Sequence, residues 1–385
     1  MDRARRIALV RSTESIQAAD RLPSNKGRAS RVHALIDAFG LDAHMEIVAP
    51  EPMSDSGLAV FHSEEYIARI FAATDGGYPS SNGQEDGKEN GTDEELGLEQ
   101  FGLVHDCAVF DGLEEHVRYA AGGTVAGADA LVRGRADVAI HWEGGRHHCR
   151  PAKAAGFCYI NDVVLGILAL QTRFGRILYI DLDLHHGDGV QSAFQYSDRV
   201  MTLSIHHYDR GFYPNSGRNY DEGKGRGAGR SINVPLRRGA GDDTFFRAFS
   251  GVTTSILTTF APAVVVVQCG CDGLAGDPHK VFNLTTDAFT KSVTTVLGWG
   301  LPTLLLGGGG YSRPDCARCW TRLTGVACGR DIPAATDVPE HRFLGEFAPA
   351  FDMASDAMLM NDENDDEAVD SAVRAIQQIL HSQSQ

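Results

Sequence analysis

The sequence has no apolar run long enough to cross a bilayer. Its longest, Ala261 to Val267, contains Pro262, whereas a spanning helix needs about 20 apolar residues. Near the N-terminus only Ile7 to Val10 are consecutively apolar, too few for a secretory h-region. Basic charge is in deficit. Lys and Arg number 35 against 51 Asp and Glu, a net charge of −16. That argues against nonspecific binding to nucleic acid and leaves room for a basic partner such as a lysine-rich peptide. The eight cysteines are scattered, and no second pair accompanies Cys316 and Cys319. Neither a disulfide framework nor a zinc knuckle is expected, and the thiols suit a reducing compartment. The glycines Gly307 to Gly310 are not followed by Gly-Lys-Ser/Thr, so the phosphate-loop signature is missing. No repeat and no linker divides the chain. A soluble intracellular protein of one domain over 1–385 is expected.

What is present is an alternation of strands and helices. Short apolar, β-branched stretches at 6–11, 138–142, 176–183, 200–206, 263–270 and 302–308 read as strands. Helical spacing at Arg28–Phe39, 62–71 (Ser63 as N-cap), Thr124–Val132, Asp162–Phe174, Asp243–Phe260, Thr286–Gly298 and Asp365–Leu380 separates or flanks them. Near-continuous apolar strands joined by helices indicate an α/β fold with a parallel sheet covered on both faces. Residues 75–97 are poor in apolar side chains and read as a surface insertion.

Chemistry-bearing residues gather where these strands end, the place where ligands bind in such sheets. In the stretch from Ile177 to Val190, Asp181, Asp183 and His185 alternate, so an extended segment turns all three to one face. Asp183 and His185 have the character of Zn²⁺ ligands, and Asp272, at another strand end, would complete a two-Asp, one-His set with open positions. His147 and His148 follow Gly144, Gly145 and Arg146 at a third strand end. At a fourth, Gly307 to Gly310 let the backbone pass close to a ligand and present Tyr311, whose hydroxyl can donate to an oxyanion.

The motifs HHCRPAKAAGFCYIND, DLDLHHGDG, CDGLAGDP and GGGGYSRPDCARCW, together and in this order, resemble the class I zinc-dependent histone deacetylases, and among them the histone deacetylase 8 branch. The resemblance runs from RASRVHALI to about residue 330. It implies the arginase/deacetylase fold, with a central, mainly parallel sheet of about eight strands flanked by helices on both faces. It implies an amidohydrolase acting on N6-acetyl-lysine in histones and other proteins, with a zinc-bound water as nucleophile. Asp183, His185 and Asp272 would bind Zn²⁺, or Fe²⁺ in its place. His148 would be the general base and then acid, His147 an electrostatic assistant and Tyr311 the oxyanion donor. Asp181 and Asp188 would orient His147 and His148. Gly156, Phe157 and Tyr213 match the acyl-lysine tunnel, and Asp106 the acid that holds the substrate backbone. Structural K⁺ or Na⁺ would lie near Asp181, Asp183, His185, Ser204 and Ile205, and near Phe194, Ser197 and Val200. Arg28 matches an arginine lining an internal cavity below the site. A nuclear and cytoplasmic address and a role in chromatin and transcription follow from the resemblance alone.

The chain also departs from that family. Arg146 stands where an apolar residue is usual, so the cavity under the metal is expected to be more polar. His279 follows GDP where Met or Leu is common and would sit at the tunnel rim. Because it is not an acid, it weakens a polyamine-deacetylase reading. PNSGRNY replaces a glycine-rich rim segment. Pro278 and Pro314 replace arginines that bind inositol phosphate, so dependence on that cofactor and on a corepressor is not expected. Cys107 and Cys158 flank tunnel residues and are read as reduced thiols. His186 has no assigned role. Three alternatives remain: a deacetylase of acetylpolyamines or other small amides, an inactive scaffold in a chromatin complex, and an arginase-like ureohydrolase.

Overall fold

A computed structural model describes residues 5–75, 93–219 and 221–382. Its strands are β1 (Ile7–Val10), β2 (Glu46–Val48), β3 (Val138–His141), β4 (Ile177–Asp181), β5 (Val200–His207), β6 (Ser231–Leu236), β7 (Val264–Gln268) and β8 (Thr303–Leu306). They pair in the order β2-β1-β3-β8-β7-β4-β5-β6, and every pairing is parallel. This is the α/β architecture expected for the arginase/deacetylase fold.

The apolar strands follow from burial on both faces. On β4, Leu178 and Ile180 pack with Phe245, Phe249 and Phe289, while Ile177 and Tyr179 join Val163, Val190 and Leu304 on the opposite side. Fully burying one such aliphatic side chain contributes roughly 1.5–3 kcal/mol. The C-terminal helix Asp366–Ser382 buries Val369, Val373, Ile376 and Leu380, the face that its spacing predicts.

Some boundaries differ from expectation. The helix expected from Thr124 begins at Leu113 and runs to Val132. Glycines obscure its first half. Gly123 is needed because a Cβ there would lie 2.2 Å from Nε2 of His141. β2 and β6 were not expected. β2 is three residues long and largely exposed, and β6 contains Pro235, which a strand tolerates at the sheet edge where β6 lies. Further helices at Thr13–Asp20, Asp188–Phe194 and Arg313–Ala327 were also unread. The expected insertion over 75–97 falls mostly outside the described residues. Asp75 closes the helix Glu64–Asp75, and 93–97 belong to the helix Asp93–Gln100, so both ends of the expected loop are helical. Ser63 caps the first of these helices, its Oγ accepting from Tyr66 N at 3.3 Å. No helix among the described residues is long and apolar enough to cross a membrane.

Candidate active site

The expected constellations emerge at the carboxyl ends of β3, β8, β7 and β4, four neighbouring strands in the middle of the sheet. After β3 the chain turns through Gly144 and Gly145. Asp162 clamps this turn: its Oδ2 accepts from Gly145 N at 2.9 Å and its Oδ1 from Arg146 N at 2.8 Å. Thr124 Oγ1 donates to the same carboxylate at 2.5 Å. Gly145 has φ +88°, and a Cβ there would meet the Gly307 carbonyl at 2.2 Å, so the turns after β3 and β8 touch.

The strand expected over 176–183 stops at Asp181. Asp183 and His185 therefore lie in a loop, and their side chains converge by a different device. Asp181 Oδ1 accepts from the Asp183 amide at 3.2 Å, and Asp183 Oδ1 accepts from the His185 amide at 3.0 Å. Such carboxylate-to-amide bonds two residues on compete with the strand ladder. Asp183 Oδ2 also accepts from Gln268 Nε2 at 2.8 Å and Gly309 N at 2.9 Å. Asp272 Oδ1 accepts from Leu184 N at 2.9 Å, and its Oδ2 faces His185 Nδ1 at 2.9 Å.

Asp183, His185 and Asp272 thus form a buried cluster whose ligand atoms all lie within 4.8 Å of one another. Burial pulls His185 down, but hydrogen bonds and charge from Asp183 and Asp272 raise it to about 10. Burial and the charge of Asp183 push Asp272 up to about 6. Two buried acids that keep a histidine protonated between them call for a cation. Two carboxylates and an imidazole are a donor set that Zn²⁺ or Fe²⁺ accepts, so the residues fit a divalent metal.

Beside this cluster stand the two histidines. His147 Nδ1 lies 2.8 Å from Asp181 Oδ2, which also accepts from Tyr179 Oη at 2.7 Å. Burial works against its cation, but the charges of Asp181 and Asp183 raise it to about 9. His148 Nδ1 lies 2.7 Å from Asp188 Oδ1. Burial and the charge of His147 push His148 down to about 4, against the pull of Asp188. The pair is therefore split into one cationic and one neutral ring, an arrangement suited to acid–base work.

The rim is aromatic. Tyr213 packs edge-on to His148 at 4.9 Å between centroids, and Phe157 edge-on to Tyr311 at 5.7 Å. Gly156 and Phe157 both have positive φ, 54° and 60°. For Phe157 that is a strained conformation of the kind found at functional sites. Asp106 Oδ2 accepts from Gly156 N at 2.9 Å, which puts it at this rim. The His279 ring lies 5.0 Å from both His185 and Tyr311.

Several contributors escaped the sequence reading. Phe212 stacks on His185 at 5.1 Å with the rings 6° from parallel. Arg150 Nη2 donates to Asp188 Oδ2 at 2.6 Å. Asp277 accepts from Tyr311 N at 2.7 Å and from His279 Nδ1 at 2.8 Å, so one acid sets the tyrosine and the rim histidine. Gln268 could have been noticed as the polar residue ending an apolar strand; the others carry no local signal. His186 now has a place: its Nδ1 meets Ser216 Oγ at 2.8 Å and its Nε2 meets Gln191 Oε1 at 3.0 Å, tying the rim loop to the helix Asp188–Phe194.

The residues expected near monovalent cations fall in two groups. Asp181 pairs in register with Ser204, next to Ile205, Asp183 and His185, while Phe194, Ser197 and Val200 surround the turn from that helix into β5. Arg28 lines an internal cavity with Arg146 and Trp320. All eight cysteines are free thiols, Cys107 and Cys158 among them. Cys316 and Cys319 are buried on the helix Arg313–Ala327, as ordinary core thiols.

A family model described as histone deacetylase domain matches residues 22–327. The histone deacetylase 8 of Danio rerio is 39% identical over 374 residues, which cover 97% of this chain and 95% of that protein. The histone deacetylase 8 of Xenopus tropicalis is 39% identical over 368 residues, 95% of each chain. Histone deacetylase 19 of Arabidopsis thaliana is 38% identical over 329 residues, 86% of this chain and 62% of that protein. With that likeness spread over nearly its whole length, the chain belongs to the class I histone deacetylases, near histone deacetylase 8, and is a hydrolase of that metal-dependent family.

Proposed function

We propose that this chain, as one catalytic domain over 1–385, hydrolyses the N6-acetyl-lysine amide of histones and other proteins and releases acetate. The observation that carries the reading is the pair of buried histidines, His148 on Asp188 and His147 on Asp181, both beside the Asp183–His185–Asp272 cluster. Those three residues would hold Zn²⁺, or Fe²⁺ in its place. When bound, the cation polarises the amide carbonyl and makes a water acidic enough to attack at neutral pH.

The chain's own residues do the rest. With Nδ1 committed to Asp188, His148 offers Nε2 to the attacking water, takes its proton, and later returns it to the departing lysine amine. His147 keeps its positive charge beside the developing oxyanion. The Tyr311 hydroxyl donates to that oxyanion, and Asp277 fixes the backbone that presents it. Phe157 and Tyr213 flank an unbranched methylene chain, and Asp106 at the rim receives the substrate backbone. K⁺ or Na⁺ at the two sites behind β4 and β5 would stiffen the loop that carries Asp183 and His185. Pro278 and Pro314 support activity without inositol phosphate or a corepressor. The net charge of −16 supports basic protein substrates over direct contact with nucleic acid. A nuclear and cytoplasmic distribution fits substrates of that kind.

The test is a panel of acetyl-lysine peptides and acetylspermidine, with and without a chelator. Chelator-sensitive turnover of the peptides over the polyamine is expected. Preference for acetylspermidine would favour the small-molecule reading, and absence of turnover in every metal-loaded sample would favour a scaffold or an arginase-like ureohydrolase.

A further inference from the structure

Two guanidiniums lie buried beneath the catalytic floor with no carboxylate set against them. Arg28 is 3% exposed and Arg146 5%, and both line one internal cavity with Glu143, Trp142 and Trp320. Arg28 Nη1 donates to the Gly310 carbonyl at 2.8 Å, and its guanidinium lies 4.5 Å over the Trp320 ring. Arg146 Nη2 donates to the Glu143 carbonyl at 3.3 Å, and its Nε meets no acceptor. Carbonyls and an indole face offer partial charge, not a counter-ion. Among the described residues, no carboxylate reaches either guanidinium within ion-pair distance. Glu143, the one acid on the wall, is turned to His33 at 2.5 Å and His141 at 3.6 Å. Asp162, whose charge Arg146 feels, is held by Thr124 and by the amides of Gly145 and Arg146.

The consequence is a surplus of positive charge in the interior. Two guanidiniums against one carboxylate leave the cavity wall with one net positive charge. A neighbouring ring feels it. His116 is 1% exposed and makes no hydrogen bond at either nitrogen; burial pushes it toward its neutral form, and the charges of Arg146 and Arg28 push the same way. A buried cation is costly unless paired, and a water would satisfy its N–H groups without balancing its charge. The size of the cavity then selects the anion. The space open to a water centre is about 10 Å³, room for about one water. A chloride ion is only slightly larger than a water and needs no fixed donor geometry. Acetate, phosphate and other polyatomic anions are too large. An ion caught as the chain folds needs no channel, in the way interior waters are held.

We propose that Arg28 and Arg146 together bind one halide ion, chloride in ordinary media, as a resident part of the folded chain. The inference goes beyond the hydrolase reading and does not depend on it. The ion accepts from Arg146 Nε and from N–H groups of Arg28 that are not given to Gly310. Gly310 precedes Tyr311, and Arg146 precedes His147, so the ion ties the turn after β8 to the turn after β3 from below. The Glu143 carboxylate opposes an anion, but its charge is turned to two histidines. Burial and the charge of Arg28 push the Arg146 guanidinium below its ordinary range, in keeping with a cation short of its counter-ion.

The test is urea unfolding of the metal-loaded full chain in rising sodium chloride or sodium bromide, made up to one ionic strength with sodium methanesulfonate, whose anion is too large for the cavity. An ion that binds only the folded chain multiplies the folding constant by one plus its concentration over Kd. Above Kd, each tenfold rise in chloride or bromide should therefore raise that constant about tenfold. Crystals of protein refolded and metal-loaded in bromide should show an anomalous scattering peak between the two guanidiniums. Arg146→Leu installs an apolar residue of the kind usual at this position in the family, and Arg146→Gln a neutral polar one. In both, the halide dependence and the peak should disappear. Unfolding that ignores which salt is present, or a halide effect that persists in both variants, would overturn the inference. So would a bromide peak without a halide effect on unfolding, which marks binding at crystal concentration only. Should neither variant fold, the parent's halide series and the position of its bromide peak decide alone.

Discussion

Asp188 is shared between an imidazole and a guanidinium: one carboxylate oxygen faces His148 Nδ1 at 2.7 Å, and the other accepts from Arg150 Nη2 at 2.6 Å. Burial opposes its charge, yet the hydrogen bond from His148 and the positive charge of Arg150 hold it at about 2. It stays ionised and fixes the histidine tautomer that exposes Nε2. Asp188→Asn should leave the fold intact and lower kcat by on the order of 10³- to 10⁴-fold, the penalty of a wrong tautomer. Arg150→Leu should cost less, since His148 keeps its acceptor. Steady-state kinetics beside circular dichroism would check both, and a mild effect of Asp188→Asn would remove His148 from its role.

Tyr311→Phe isolates the oxyanion donor. Asp277 holds the residue through its backbone amide, so the ring should stay in place beside Phe157 when the hydroxyl is removed. The loss expected is on the order of 10²- to 10³-fold in kcat, with KM nearly unchanged. A larger rise in KM than fall in kcat would show that Tyr311 binds the ground state instead.

Metal removal should act on stability as well as turnover. Without a cation, His185 must keep a proton between Asp183 and Asp272. Adding Zn²⁺ to chelated protein should raise the unfolding free energy by about 2.7 kcal/mol at a hundred times Kd. In Asp272→Asn most of that increment should vanish. Calorimetry with and without Zn²⁺ measures it directly.

His116 offers a pH test away from the metal. Its ring is buried between Phe110 and Tyr159, and neither nitrogen makes a hydrogen bond. Burial and the charge of Arg146 push it down to about 3, with the nearby Ala18 carbonyl opposing only in part. In the unfolded chain it titrates near 6.5. Between those values the unfolded state holds the extra proton, so this histidine lowers stability progressively as pH falls from about 6.5 toward 3 and has no such effect above about 6.5. His116→Phe removes that proton. Its stability relative to the parent should rise by about 1.4 kcal/mol per pH unit on acidification through the window and be flat above it. Denaturant midpoints from pH 4 to 8 would show the slope; a difference independent of pH would contradict it.

Much of this site could be read from the chain because each part is local. A strand end followed by Asp, Leu, Asp, Leu, His is contiguous, and four such ends had to meet wherever a parallel sheet placed its central strands. Tyr311 and His148 were visible for the same reason. What escaped was held by long-range contact. Arg150 matters only because Asp188 folds next to it, and Phe212 only because its ring reaches His185. The strand expected over 176–183 ends at Asp181 because the Asp181 and Asp183 carboxylates accept from amides two residues on, local bonds that an alternating apolar and polar pattern does not reveal. The helix from Leu113 was read too short because Gly122 and Gly123 look like breakers, although at Gly123 the close approach of His141 demands the missing Cβ. Arg146 was noticed as a departure from the family, but that it shares one cavity with Arg28 is a property of the folded chain.

The most direct measurement is acetate release from one acetyl-lysine peptide by chelated protein, before and after addition of Zn²⁺ or Fe²⁺, with His148→Ala run alongside. Release that is absent after chelation, restored by metal and abolished in His148→Ala is the expected result. Undiminished release from metal-free protein, or from the His148→Ala variant, would contradict the assignment of Asp183, His185 and Asp272 to the metal and of His148 to the proton.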